Sequence, residues 1–381
     1  MIIDVSLMPW LALTTLLHCI LVLEKRSILK SWTIILSIAT FTLSMSGTFL
    51  VRSGILNSVH TFANDPERGL FILTFLFILI LISLLIFFIF YKSDIQSPSP
   101  IFLLSKETSI LINNLFMMYF LSVVLIGTIY PIFLDVISSQ KISVGPPFYH
   151  KLIIPFLIPF LIFMAIGPQL KWIKSELDKK LNLIIFFIIS LLISFYIVKN
   201  LNNDFLVNTI LLGSAFYLFF VTIRDFFLKK FRNIEQNIAH FGFSLLILSI
   251  LLNNIFSSEL ITNLKVGESF KNEKFEIIFN DLKRSEEKNY ISFKGEFYIK
   301  ESEKENRLKP ELRVYNQPNI ITSEADIKTT FLSDKFITMN TVQNEEYFNI
   351  RYQVKPFMLF IWISVLLISL GGLLSLFKKR I

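Results

Sequence analysis

Four histidines are the residues of this 381-residue chain best suited to bind a metal or a cofactor. His18 and His240 lie inside two different apolar runs, each near the same flank of the membrane. An ionisable side chain inside a membrane segment is a candidate functional residue, although such an imidazole can also simply hydrogen-bond a neighbouring helix. No carboxylate is near either one in sequence, so two axial ligands of one metal or haem fit the pair better than a zinc site.

The other two histidines lie between apolar runs. His60 belongs to the polar connector 46–70, SGTFLVRSGILNSVHTFANDPERGL, which also carries Arg52, Asp65 and Arg68. Asp65 could orient the imidazole through its second nitrogen, and the two arginines could pair with an anionic ligand such as haem propionates. The alternative is a solvated loop with an incidental histidine. For His150, which begins an apolar run after a Gly-Pro-Pro turn, a snorkelling interfacial residue is favoured.

The elements that position these residues are predicted from long apolar runs. The chain is 53% hydrophobic and only 17% charged, which is typical of a polytopic membrane protein. Spans of roughly 20 residues must be helices, because lipid offers no hydrogen-bond partner to backbone groups. We predict nine spans, near residues 7–23, 32–51, 70–91, 110–134, 152–172, 183–198, 205–223, 238–256 and 356–377.

The charges indicate orientation rather than a nucleic-acid partner. One alternating set of loops carries sixteen basic residues and the opposite set five, so the basic side is predicted to be cytoplasmic. The connector with His60 and the long polar segment then face the periplasm of a bacterium. The single cysteine, Cys19, rules out an intramolecular disulfide and a Cys-rich metal site.

The polar segment near the carboxyl end is predicted to be a small β domain. Alternating apolar residues indicate strands over 275–280, 290–299, 311–316 and 348–354, and the charged run 301–307 indicates turns. The predicted fold is an all-α polytopic membrane protein of about nine helices with one small periplasmic β domain inserted before the last helix. Its predicted domains are 1–256, the membrane domain; 257–354, the β domain; and 355–381, the last helix with a basic tail.

The connector resembles the signature loop of the CcmF/NrfE family of cytochrome c-type biogenesis proteins, over GTFLVRSGILNSVHTFANDPERG. The resemblance extends over essentially the whole chain, through SLMPW at 6–10, GTIYP at 127–131, VGPP at 144–147, AHFG at 239–242 and ELRVY at 311–315. The family's tryptophan-rich WWD segment is absent. The chain therefore resembles the carboxy-terminal part of a CcmF, and we expect one product of a split gene or a truncated reading frame.

The resemblance implies roles for three histidines. His18 and His240 match the histidines that bind an internal b-type haem in the membrane. His60 matches one of the two periplasmic histidines that ligate a transient external haem, with Arg52, Arg68 and Asp65 as lesser candidates beside it. His150 matches no haem ligand.

The implied activity is that of a haem lyase subunit in the bacterial inner membrane, or in the mitochondrial inner membrane if the gene is organellar. It would receive haem from the chaperone CcmE and present it to the CxxCH motif of apocytochrome c. No catalytic side chain is expected, because the reacting thiols belong to the substrate. Further implied partners are a WWD-containing amino-terminal CcmF half, a CcmH-type subunit and membrane lipid. The alternatives are an assembly subunit that is inactive without that half, and a membrane transporter.

Overall fold

The computed structural model describes residues 2–52, 66–90, 100–138, 142, 144–175, 181–200, 204–228, 233–272, 275–301, 304–317, 319–342 and 346–377. In these ranges nine helices are long and apolar enough to cross a membrane. The predicted fold class is therefore confirmed. The helices are α1 (Ile2–Arg26), α2 (Lys30–Arg52), α3 (Pro66–Phe90), α4 (Lys106–Ser138), α5 (Pro146–Ile166), α6 (Leu181–Val198), α7 (Phe205–Leu228), α8 (Ile234–Phe256) and α9 (Met358–Leu376).

Several helices extend beyond the apolar runs that predicted them. The fourth begins at Lys106 instead of residue 110, and the fifth begins at Pro146, where proline is well accommodated in a first helical turn. The fifth helix then ends earlier, at Ile166, and Gly167–Gln169 form a single 3₁₀ turn. Pro168 is consistent with this end, since proline has no backbone N–H to donate to the carbonyl four residues earlier.

The chain forms two compact units, Met1–Val221 and Thr222–Ile381. In the first unit, α1 packs against α2 and α4, α2 packs against α3, and α4 packs against α5. Sulfur atoms make two of the polar contacts between α1 and α4. The amide of Asn114 donates to Cys19 Sγ at 3.3 Å, and the Thr15 hydroxyl lies 3.7 Å from Met117 Sδ.

In the second unit, α8 and α9 approach each other closely at two glycines. A Cβ atom at Gly242 would lie 2.9 Å from the backbone nitrogen of Ile368, and one at Gly371 would lie 2.7 Å from the backbone nitrogen of Ala239. Larger residues would therefore force the helices apart. Small residues permit such close backbone approach between membrane helices.

The β domain is a sandwich of two antiparallel sheets. Its core joins Phe279 and Phe297 of one sheet, whose rings stack at 4.3 Å, to buried residues of the other sheet such as Ile337 and Ile350. The first sheet has the order β1-β10-β9-β8 and the second β2-β3-β4-β6-β7, with β5 also pairing with β4. The strands are β1 (Ser258–Leu264), β2 (Ser269–Lys271), β3 (Glu276–Glu286), β4 (Tyr290–Glu301), β5 (Lys304–Leu308), β6 (Glu311–Asn316), β7 (Asn319–Glu324), β8 (Asp326–Thr329), β9 (Ser333–Thr341) and β10 (Phe348–Pro356).

One strand prediction was wrong. The charged run 301–307 was expected to be turns, but Lys304–Leu308 forms β5 and pairs with β4. The reason is that β4 is long enough to pair along its length with β6 and then with β5, so a charged sequence is held in a strand by backbone bonds. Tertiary context overrides the local β preference here.

Single residues connect the sandwich to its two helices. Ser257 lies between α8 and β1, and Phe357 lies between β10 and α9. Because β1 pairs with β10, two packed helices continue directly into two paired strands. The side-chain amide of Asn253 donates to the carbonyl of Pro356 across this junction. The connection between the helix pair and the sandwich is therefore short and hydrogen-bonded.

Candidate functional site

The imidazole of His18 is held by its own helix. Its Nδ1 lies 2.9 Å from the carbonyl oxygen of Thr14, one turn earlier in α1. With the proton on Nδ1, this contact is a hydrogen bond to the carbonyl, and Nε2 keeps its lone pair for a ligand. Histidines that bind metals almost always donate their other ring N–H in this way.

The position of His18 on α1 directs its side chain toward the protein. It is half-buried, and it lies on the same helical row as Leu11, Thr15 and Val22, all of which are buried. Leu17, the preceding residue, is largely exposed and is rotated by about 100° around the helix axis from His18. The row of His18 therefore borders the surface of α1 that packs against α4, and not the surface expected to face lipid.

His240 lies on α8 beside the close contact with α9. Its neighbours Ala239 and Gly242 make that contact, and successive helical residues are rotated by about 100° around the axis. His240, which is half-buried, therefore projects from a side of α8 that α9 does not cover. The next turn on that side carries Ser244, whose hydroxyl lies 2.9 Å from that of Thr222 on α7.

The two intramembrane histidines belong to different units. His18 lies in Met1–Val221 and His240 in Thr222–Ile381. That they ligate one haem iron stays a prediction.

Part of the predicted external site lies outside the described residues, namely His60, Asp65 and the side chain of Arg52. Arg52 is the last residue of α2, and Arg68 is exposed in the first turn of α3. Arg52 and Arg68 therefore lie on two helices that pack against each other. His150 is exposed in the second turn of α5, as an interfacial residue would be.

Sequence reasoning missed a buried ion pair. Arg26, at the end of α1, lies 2.8 Å from Glu107 in the first turn of α4, and their side chains are only 7% and 2% exposed. Both carboxylate oxygens of Glu107 also accept the backbone N–H of Ile173, at 2.9 and 3.1 Å. In the sequence these residues are only a basic flank and an acidic helix start, and nothing there signals that they meet.

Two family profiles match the chain at its two ends. The profile described as "Cytochrome C assembly protein" matches residues 4–57, which include His18. The profile described as "CcmF C-terminal beta-sandwich" matches residues 255–356, the whole of the β domain. The second description agrees with the observed sandwich.

Curated relatives match along almost the entire chain. CcmF of Pseudomonas aeruginosa is 33% identical over 99% of this chain and 60% of its own length. CcmF of Escherichia coli is 32% identical with the same coverage, and NrfE of Haemophilus influenzae is 28% identical over 99% of this chain. The chain thus spans about 60% of the length of these CcmF relatives.

A solved structure titled "Cytochrome c Heme Lyase CcmF" has the same fold. It superposes with a TM-score of 0.73 at 20% identity, over 97% of this chain and 58% of that one. The helix order, the inserted sandwich, the two profiles and the relatives agree, and this chain belongs to the CcmF/NrfE family of cytochrome c-type biogenesis proteins.

Proposed function

We propose that this chain is the haem-binding membrane subunit of a haem lyase that matures c-type cytochromes. The observation that carries the proposal is the contact between His18 Nδ1 and the Thr14 carbonyl, which leaves Nε2 available inside an apolar helix. Membership of the CcmF/NrfE family supports it, because the relatives are named as cytochrome c-type biogenesis proteins.

The residues of the membrane helices fit a resident haem b. His18 and His240 would hold its iron, and two neutral imidazoles are a sufficient donor set for haem iron. When bound, haem b supplies reversible one-electron chemistry. The chain's own contribution is to fix the imidazoles: the Thr14 carbonyl orients His18, and the packing of Ala239 and Gly242 against α9 fixes the rotation of His240.

The external haem is the substrate. His60 would ligate it, while Arg52 and Arg68 would pair with its propionates and Asp65 would orient His60. In the reaction each thiol of the apocytochrome CxxCH motif adds its S–H across a haem vinyl group, which forms a thioether without a further reactant. The chain holds and orients the haem and supplies no nucleophile.

The proposed setting is the bacterial inner membrane with the β sandwich in the periplasm. The proposed partners are the haem chaperone CcmE as donor, a CcmH-type subunit and apocytochrome c as acceptor, and a WWD-containing amino-terminal CcmF segment. A second candidate is an assembly subunit that binds haem but is inactive without that segment.

An absorption spectrum tests the resident haem. The His60→Ala chain, purified after co-expression with the WWD-containing segment so that no external haem contributes, should show a bis-imidazole haem spectrum that His18→Ala and His240→Ala each remove. His150→Ala is the matched control, because that histidine is exposed at the start of α5, and it should leave the spectrum intact. An unchanged spectrum in either of the first two variants would refute the assignment.

Cytochrome levels in cells test the lyase activity separately. His60→Ala should abolish covalent haem attachment to c-type cytochromes while the resident haem spectrum is kept. Normal cytochrome levels in this variant would remove His60 from the mechanism.

A further inference from the structure

Two non-helical segments meet at one end of the first unit and expose an unusual set of side chains. Residues 100–105 precede α4, and residues 170–175 follow the 3₁₀ turn after α5. The candidate spans of α4 and α5 end here, at Lys106 and Gln169. The segments therefore lie at the level where a membrane gives way to water.

The backbones of the two segments are firmly joined. The N–H of Lys106 donates to the carbonyl of Lys171 at 3.0 Å, and the N–H of Ser175 donates to the carbonyl of Leu104 at 2.8 Å. The hydroxyl of Thr108 donates to the carbonyl of Phe102 at 2.8 Å. Non-helical backbone near lipid needs such internal partners, so this surface is a built element of the fold.

An apolar tip projects from the joined segments. Leu103 is 86% exposed, and its neighbours Ile101, Phe102 and Leu104 are also exposed. Ile173 adds a further apolar side chain, 52% exposed, from the other segment. At the end of two candidate membrane spans, these exposed apolar side chains are placed to contact lipid.

Ile173 is held in an unfavourable backbone conformation. Its φ of 72° lies in the left-handed region, where a β-branched residue is an outlier. The carboxylate of Glu107 accepts its N–H and is itself paired with Arg26. The buried ion pair therefore holds the conformation that presents the Ile173 side chain outward, and a strained residue of this kind is a pointer to function.

Three lysines border the apolar tip. The ammonium group of Lys106 lies 5.5 Å from the ring centre of Trp172, and that of Lys174 lies 5.7 Å from the ring centre of Phe102. Lys171 is exposed between them. The one acid in residues 100–109 and 170–175 is Glu107, which is buried against Arg26, so the exposed charge here is positive.

We propose that this surface, formed by residues 100–106 and 170–175, binds an anionic phospholipid. The lysines would hold the phosphate headgroup, and Leu103, Phe102 and Ile173 would contact its acyl chains. Charge complementarity selects a negative ligand, and the apolar tip selects an amphipathic one over a free anion. Each lysine or arginine near an anionic membrane surface increases the binding affinity by about fivefold.

Native mass spectrometry of the purified full chain tests this proposal. The probes are phosphatidylglycerol and phosphatidylcholine with the same acyl chains. The wild-type chain should prefer phosphatidylglycerol. Replacing Lys106, Lys171 and Lys174 together with glutamine should weaken its binding on the order of a hundredfold, and Lys171→Gln alone by about fivefold. The matched control replaces three exposed lysines of the β domain, Lys271, Lys288 and Lys328, and should bind like the wild type.

Further measurements distinguish a bound phospholipid from a free anion. Leu103→Asn should weaken phosphatidylglycerol binding while inorganic phosphate fails to displace the lipid. Displacement by inorganic phosphate, with no effect of Leu103→Asn, would overturn the proposal in favour of a free anion. Equal binding of both lipids, or unchanged binding in the Lys171→Gln and triple variants, would also overturn it. So would a dimer in the mass spectrum that the triple variant dissociates, since the surface would then join two copies of the chain.

Discussion

At the scale of single residues, one carbonyl oxygen decides which nitrogen of His18 is open to a ligand. The Thr14 carbonyl occupies Nδ1 at 2.9 Å, and this leaves Nε2. The arrangement comes from ordinary helix geometry, since residues i and i−4 lie one turn apart on the same face. The sequence alone does not say which ring nitrogen of His18 carries the proton. A contact at Nδ1 fixes the tautomer and the ring orientation, as it does in histidines that bind metals.

The buried Arg26–Glu107 pair gives a prediction at the same scale. Glu107→Gln should lower the free energy of unfolding by about 3–5 kcal/mol, because removing one charge of a buried ion pair is strongly destabilising. Thermal unfolding of the purified protein, followed by helical circular dichroism, measures this loss. Replacing both residues, as Arg26→Met with Glu107→Leu, should cost clearly less than Glu107→Gln alone.

An exposed ion pair provides the control. Glu346 is 87% exposed and lies 3.0 Å from Lys265 on the β domain. Glu346→Gln should change the free energy of unfolding by less than about 1 kcal/mol. Equal effects of the two Glu→Gln substitutions would mean that the Arg26–Glu107 pair is solvated and not buried.

At the scale of elements, two adjacent glycines of α9 predict opposite outcomes. Gly371→Ala places a methyl group 2.7–2.8 Å from Ala239 and the Glu235 carbonyl, and should destabilise the α8–α9 pair by about 1–3 kcal/mol. A Cβ atom at Gly372 meets nothing within 4 Å, so Gly372→Ala should be neutral or stabilising by up to about 1 kcal/mol. The midpoint of thermal unfolding compares the two variants, and similar midpoints would show that the helices are not in close contact.

The β4–β5 hairpin predicts how the sandwich responds to acid. A hydrogen bond from Tyr298 and the charge of Arg307 hold the pKa of Glu296 below its ordinary value. A lowered pKa gives stability that is complete above the unfolded pKa, about 4.3, and is lost as the pH falls below it. The protection factors of the β4 and β5 amides, which compare measured with intrinsic exchange at the same pH, should therefore fall on acidification below about pH 4.3.

Two variants check the source of this acid sensitivity. Glu296→Gln should flatten the pH dependence of the protection factors at β4 and β5, since the titrating group is gone. Glu305→Gln, an exposed substitution on the same hairpin, should leave the pH dependence as in the wild type. A pH profile that is unchanged by Glu296→Gln would contradict the role given to its carboxylate.

At the scale of the whole molecule, the sequence predicted those elements that depend on local patterns of apolar and polar residues. Apolar length gave all nine spans in the described residues, and alternation gave four strands of the sandwich. It did not predict the other six strands, among them β5, which is held in place by pairing with β4, nor the Arg26–Glu107 pair, which joins residues distant along the chain. Both depend on tertiary contacts, and a single sequence has no local signal for them.

The candidate site follows the same division. The intramembrane positions of His18 and His240 could be predicted from hydropathy and from resemblance to the family. The contact of His18 with Thr14 and the glycine packing beside His240 could not be predicted from the sequence, because they depend on how side chains and helices pack. These contacts explain how each imidazole is oriented within its own unit.

The central claim is that His18 and His240 bind the same iron, and imidazole rescue tests it most directly. In His18→Ala and in His240→Ala, each combined with His60→Ala so that no external haem contributes, all of the bound haem should lose the bis-imidazole spectrum, and millimolar imidazole should restore it in each variant. One remaining ligand plus imidazole would then complete the iron in both cases. If either variant instead keeps a bis-imidazole spectrum on about half of its haem, or shows no change, the two histidines do not share an iron and the account is wrong.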